Sequence, residues 1–217
     1  LGTGLADRTW AWFALAGAWA GLSAYTYSSV RVLPIFLLLI WIWFLIVDRR
    51  LWRPRLVQFL LFGLVAAIVF APLGLFFLQN PEFFSTRMSQ TSVFDPEING
   101  GDLWGTLGRV TLDALGIFTV RGDSNPVYNY AQKPIYGPLL GACFYLGLWV
   151  CLWRLFRRGG GSPARSLQAR TPYLLLLVWL PVMLIPNILG ARGVPHSLRS
   201  MGLIPAVYVV PALGVYV

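Results

Sequence analysis

The sequence predicts an all-α fold: a polytopic transmembrane helix bundle of about six spans, with one large extracytoplasmic loop carrying an interfacial helix. Three observations predict it. Hydrophobic residues make up 57% of the 217 and charged residues only 12%, about half the charged fraction of a soluble domain. The mean hydropathy is +0.67, and the few charges fall between long uncharged stretches, the pattern of repeated membrane crossings. The one long polar stretch, 79–134, contains apolar residues at helical spacing.

The uncharged lengths mark spans at 9–30, 32–47, 56–81, 134–153, 171–191 and 200–217. Most reach the roughly 20 residues that about 30 Å of hydrocarbon requires. The second is short and relies on Arg31 and Arg49 snorkelling at its ends. Gly21-Leu22-Ser23 weakens the first helix, and Tyr25-Thr26-Tyr27-Ser28-Ser29 supplies a polar turn between the first two. Pro34 then falls in the first turn of the second helix, where a missing N–H costs little. The expected organisation is three spans in 1–78, a loop in 79–134, and three spans in 135–217. The chain lacks an initiator Met and stops inside an apolar run, so both ends are expected to be truncations.

Arginine placement sets the expected direction. Arg49, Arg50, Arg53, Arg55, Arg154, Arg157, Arg158, Arg165 and Arg170 crowd one side and should be cytoplasmic. On the other side Arg31, Arg87, Arg109, Arg121, Lys133, Arg192 and Arg199 are diluted by Glu82, Asp95, Glu97, Asp102, Asp113 and Asp123. The net charge of +9 therefore reads as topological anchoring in a multi-pass cell membrane protein, not nucleic-acid binding. The Gly159–Gly161 run reads as a flexible cytoplasmic linker. Cys143 and Cys151 are eight positions apart in one helix, about 12 Å of rise, too far for a disulfide.

In the loop, 102–118 reads as a helix on the membrane surface or against the protein's own spans. Leu103, Leu107, Val110, Ala114 and Phe118 take one face; Asp102, Thr106, Arg109 and Asp113 take the other. Arg121-Gly122-Asp123-Ser124-Asn125-Pro126 is turn-rich, and its Arg-Gly-Asp tripeptide is too short a signal for adhesion.

The spans carry no Asp, Glu, Lys or Arg in their interiors, which lowers a coupled-transporter reading. Cations at the loop side remain. Arg199, Arg87, His196 and Lys133 are the lipid-phosphate-binding candidates, since guanidinium and ammonium groups at headgroup depth match phosphate oxygens. His196 is the sole histidine, and no HxxxH, CxxC or paired-carboxylate pattern occurs. No metal site and no cofactor are readable in this chain.

Four strings resemble the GT-C class of membrane glycosyltransferases, the dolichyl-phosphate-mannose protein mannosyltransferase and aminoarabinose transferase relatives, especially bacterial members. They are Gly21-Leu22-Ser23-Ala24-Tyr25-Thr26-Tyr27 leading to Arg31 and Pro34, and Asn80-Pro81-Glu82-Phe83-Phe84 through Arg87 to Val93-Phe94. The third runs from Gly122-Asp123-Ser124-Asn125-Pro126 through Tyr128-Asn129 to Pro134 and Gly137-Pro138-Leu139-Leu140-Gly141. The last is His196-Ser197-Leu198-Arg199 followed by Gly202-Leu203-Ile204-Pro205.

The resemblance implies a C-terminal fragment of an enzyme that moves a sugar from a polyprenyl-phosphate carrier to an acceptor on the extracytoplasmic face. The acceptor class (protein, lipid or glycan) stays open, as does a divalent metal in the full-length protein. The family's acidic catalytic residue lies in a first outer loop outside this chain, so no catalytic residue is named and the fragment is expected to be inactive alone. What carries over is Arg199 and, more weakly, Arg87. Two other readings stand beside it: a transporter or flippase of a lipid-linked substrate, and a non-catalytic membrane subunit.

Overall fold

Proline and short polar turns decide where the apolar runs of this chain begin and end as helices. The computed structural model describes residues 3–26, 28–47, 52–83, 91–157 and 163–216. Its helices are α1 (Thr3–Ser23), α2 (Leu33–Val47), α3 (Trp52–Gln79), α4 (Leu103–Gly116), α5 (Pro138–Phe156), α6 (Pro163–Leu189) and α7 (Ile204–Tyr216). Tighter 3-10 segments, Ser28–Val32 and Leu198–Leu203, lead into α2 and α7. A single turn, Pro96–Asn99, precedes α4. Among the described residues the fold is all-helical, with one isolated β-bridge between Ser92 and Gly190.

Four helical stretches among the described residues are long and apolar enough to cross a bilayer: Leu56–Gln79, Pro138–Phe156, Ala169–Leu189 and Leu198–Tyr216. Val30–Ile46 is apolar but shorter. The chain is a helical membrane protein.

Several expected boundaries shift, for local reasons. The first helix spans Thr3–Ser23, not 9–30. Ser23 Oγ donates to Ala20 O at 2.6 Å and Thr26 Oγ1 to Ser23 O at 2.6 Å, so hydroxyls satisfy the last carbonyls and the chain turns. Pro34 does sit in the first turn of α2. The helix expected from 134 starts only at Pro138, behind an extended Gly137 cap. The residues before it are already used: Ile135 N donates to Ile117 O and Tyr136 N to Phe118 O, each at 2.9 Å. The glycine linker at Gly159–Gly161 lies outside the described residues.

Packing divides the chain into two compact units, 1–31 with 41–86, and 32–40 with 87–217. In the first, α1 runs along α3. Tyr25 Oη donates to Val69 O at 2.9 Å, and the Phe59 ring meets Phe13 and Trp41 at 6.4 and 5.9 Å.

In the second unit α5 packs on α7 and α6, and α4 packs on α6. The α5–α7 seam is glycine-lined: a methyl group at Gly147 would overlap Val210 O, and one at Gly214 would overlap Cys143 O. Small residues let helix backbones approach in a setting where lipid is as apolar as leucine. Cys151 is buried in this layer, and both cysteines are free thiols. Phe118, Tyr136 and Phe144 stack, with Phe144 4.8 Å from Phe118 and 5.0 Å from Tyr136. The Tyr136 hydroxyl donates to Val207 O at 2.6 Å, binding the long connecting segment to α7.

The helix expected at 102–118 forms as α4, with Asp102 capping it by accepting from Gly105 N at 2.9 Å. One face assignment is corrected. Thr106, placed among the solvent-facing residues, is buried with Val110 and Ala114. Its position is next to theirs on the helical wheel, and its hydroxyl is satisfied by Asn99 O at 3.4 Å, so a short polar side chain can turn inward.

Candidate functional site

The segment from 117 to 137 folds back on itself before α5. Gly122 N donates to Gln132 O at 2.8 Å, and Asn129 Nδ2 donates to both Asp123 O (2.9 Å) and Lys133 O (3.0 Å). That amide ties the backbone of Asp123 to the backbone of Lys133.

Asp123 is only 2% exposed, so its charge must be matched. Oδ1 accepts from Asn125 N at 2.8 Å, an Asx-type turn, and Oδ2 accepts from Ser197 N at 2.7 Å, 74 residues away in sequence. His196 Nδ1 lies 3.9 Å from the same oxygen, beyond hydrogen-bond reach. Burial pushes the carboxyl up, but the Ser197 and Asn125 N–H groups and then the imidazole outweigh it, leaving the Asp123 pKa below the usual carboxylate value.

His196 belongs to a second, interlocked set. Its backbone N–H donates to Asn187 Oδ1 at 3.1 Å, Asn187 Nδ2 donates to Ser200 Oγ, and Ser200 Oγ donates back to His196 O at 3.0 Å. Asn187 is wholly buried, and this ring satisfies its amide. The Tyr128 ring covers the imidazole at 5.7 Å between centroids. Burial first, then the charge of Arg199, lowers the His196 pKa, and Asp123 offsets only part of it.

That shift has a sign. The unfolded chain takes up a proton as pH falls through about 6.5, whereas folded His196 resists until lower pH, so stability is lost on acidification across that window. Detergent-solubilised protein is expected to lose Tm between about pH 7.5 and pH 5.5, and His196→Asn to lose less over the same range. Parallel curves for the two would rule this titration out.

Arg199, expected as a lipid-phosphate contact, is held by backbone carbonyls. Nη1 donates to Gly190 O and, at 3.0 Å, to Arg192 O. These carbonyls follow the C-terminus of α6, where a cation is favoured by the helix dipole. The guanidinium lies against Gly190 so closely that a methyl group there would sit 2.7 Å from Cζ. Arg199 thus braces the loop that presents His196.

Lys133 is exposed, with Nζ 5.3 Å from the centre of the Tyr130 ring. It stands at a cavity of about 750 Å³ at the start of α5, lined with Thr119, Tyr136, Gly137, Gly141 and Tyr145. Thr119 packs close against Gly141, and Thr119 Oγ1 and Tyr145 Oη share a 2.7 Å hydrogen bond on the cavity wall.

Of the four candidates, then, His196 and Arg199 share one loop, and Lys133 is linked to that loop through Asn129, Asp123 and Ser197. Arg87 lies outside the described residues. Among the described residues no three or more His, Cys, Asp or Glu side chains come together to hold a metal. Sequence reasoning gave no site role to Asp123, read as a diluting charge within a turn-rich string, and missed Asn187. Each had a signal: an Asp-x-Asn-Pro turn, and a lone carboxamide inside the apolar run 171–191. No protein-family model, curated protein or solved structure matches the chain.

Proposed function

We propose that the chain is the C-terminal membrane portion of a glycosyltransferase, crossing the bilayer about six times, that moves a sugar from a polyprenyl-phosphate carrier to an acceptor on the extracytoplasmic face. The observation that carries the reading is the placement of Lys133 at a cavity where the long loop meets the apolar helix α5. A polyprenyl phosphate has the same two parts: an anion for the ammonium and a hydrocarbon chain for the apolar wall. A fixed cation beside the carrier phosphate would stabilise the negative charge that builds there as the sugar departs.

Two roles follow for the cations. Lys133 is the contact group, because it lines the cavity. Arg199 is a positioning group, because its Nη1 is spent on Gly190 and Arg192 carbonyls. Arg154 and Arg157, packed over Trp153 at 5.3 and 4.7 Å at the other end of α5, fit a cytoplasmic anchor.

The test uses the full-length protein in vesicles with a polyprenyl-phosphate-linked sugar. Lys133→Ala is expected to lower kcat/KM roughly tenfold or more while leaving Tm unchanged. Arg199→Ala is expected to lower both. Transfer unchanged by Lys133→Ala would remove the cavity from the reaction. Carrier translocation with no sugar transfer would favour a flippase.

A further inference from the structure

Helix α4 buries one face and leaves a second apolar face uncovered. Thr106, Val110 and Ala114 form the buried side, against α6. Trp104 (78% exposed), Leu112 (71%) and Leu115 form another. Their spacing, eight residues and then three, keeps them within about a quarter turn of one another at 3.6 residues per turn. Arg109 and Asp113 lie on the remaining side. An ordinary surface helix needs only one apolar stripe. This one has two.

The second stripe does not stand alone. Beyond α4, Val120 and Ile135 are exposed, and Ile135 is hydrogen-bonded to Ile117. Three residues later α5 begins, with Leu139 and Leu140 exposed in its first turn. Exposed apolar surface therefore continues from α4 onto a helix that is long and apolar enough to cross a bilayer. That continuity identifies the occupant.

We propose that α4 is seated in the membrane–water interface, with Trp104, Leu112 and Leu115 inserted at the headgroup–acyl boundary while Thr106, Val110 and Ala114 hold the helix to the protein. Tryptophan favours that depth, and a helix with one apolar and one charged flank lies in the plane of the interface. The consequence is mechanical: the loop bearing Lys133 and Asp123 is held at the height of lipid headgroups. The inference is independent of sugar transfer.

Spin labels test it in the full-length protein carrying Cys143→Ala and Cys151→Ala, reconstituted in phosphatidylcholine–phosphatidylglycerol vesicles. Labels at Trp104→Cys, Leu112→Cys and Leu115→Cys are expected to be relaxed by oxygen over a water-soluble nickel complex at a ratio several-fold higher than at Arg109→Cys. Nickel access equal to that at position 109 would put the stripe in water and overturn the proposal. Exclusion of both reagents would show a covering protein and overturn it equally. With the native cysteines kept, Trp104→Phe is expected to lose a component quenched by brominated lipid; unchanged quenching would again contradict insertion.

Discussion

Replacing Gly147 by valine is expected to lower Tm by roughly 10 °C, a loss near the top of the 1–3 kcal/mol range for overpacking. The added Cβ would overlap Val210 O, a backbone atom of α7. No rotamer change relieves that contact; only separating the helices does. Opposing it is the gain in helix propensity, at most about 1 kcal/mol for a glycine replaced within a helix. The clash wins because the added Cβ is fixed to its own helix and the atom it meets is backbone. Gly108 in α4 is the control, since a methyl there meets nothing within 4 Å. Gly108→Ala should be neutral or stabilising by up to about 1 kcal/mol. Thermal unfolding in detergent measures both, and a Gly147→Val protein as stable as the parent would refute the close seam.

Asp123→Ala is expected to cost about 3 kcal/mol and to free the loop around 123 for proteolysis. The change removes the acceptor of two backbone N–H groups and leaves those of Ser197 and Asn125 in a site that is 2% exposed at the carboxylate. It also cuts the tie between the segment 117–137 and the loop that presents His196. Asp123→Asn keeps one acceptor oxygen and should lose roughly half as much. The order Ala, then Asn, then parent is the expected ranking. If both variants match the parent, the buried carboxylate is not what joins the two loops.

Helices and their ends were legible in the sequence to different degrees. Long uncharged runs announced α3, α5, α6 and α7, because crossing a bilayer demands length and apolarity that local composition records. The turn after Ser23 was equally visible in its hydroxyl-rich string. Ends were harder to read. The start of α5 depends on Ile135 and Tyr136 pairing with Ile117 and Phe118, a contact between segments that no local pattern encodes. α4 was readable as a helix from its spacing, yet Thr106 turned inward because Asn99 O was there to accept its hydroxyl.

The candidate site divides in the same way. Cations near the ends of spans are visible as charges, so Lys133, His196 and Arg199 could be named. Their partners could not. Arg199 meets carbonyls, which every residue has and no sequence distinguishes. Asp123 meets a backbone N–H 74 residues away, so it looked like one more loop carboxylate.

The most direct measurement of the proposed function is native mass spectrometry of the full-length protein with two lipids of equal chain length, polyprenyl phosphate and polyprenol. If Lys133 reads the phosphate, the protein retains the phosphate form over the alcohol, and Lys133→Ala erases that preference while still carrying lipid. Equal retention of both lipids, or a preference untouched by Lys133→Ala, would contradict it.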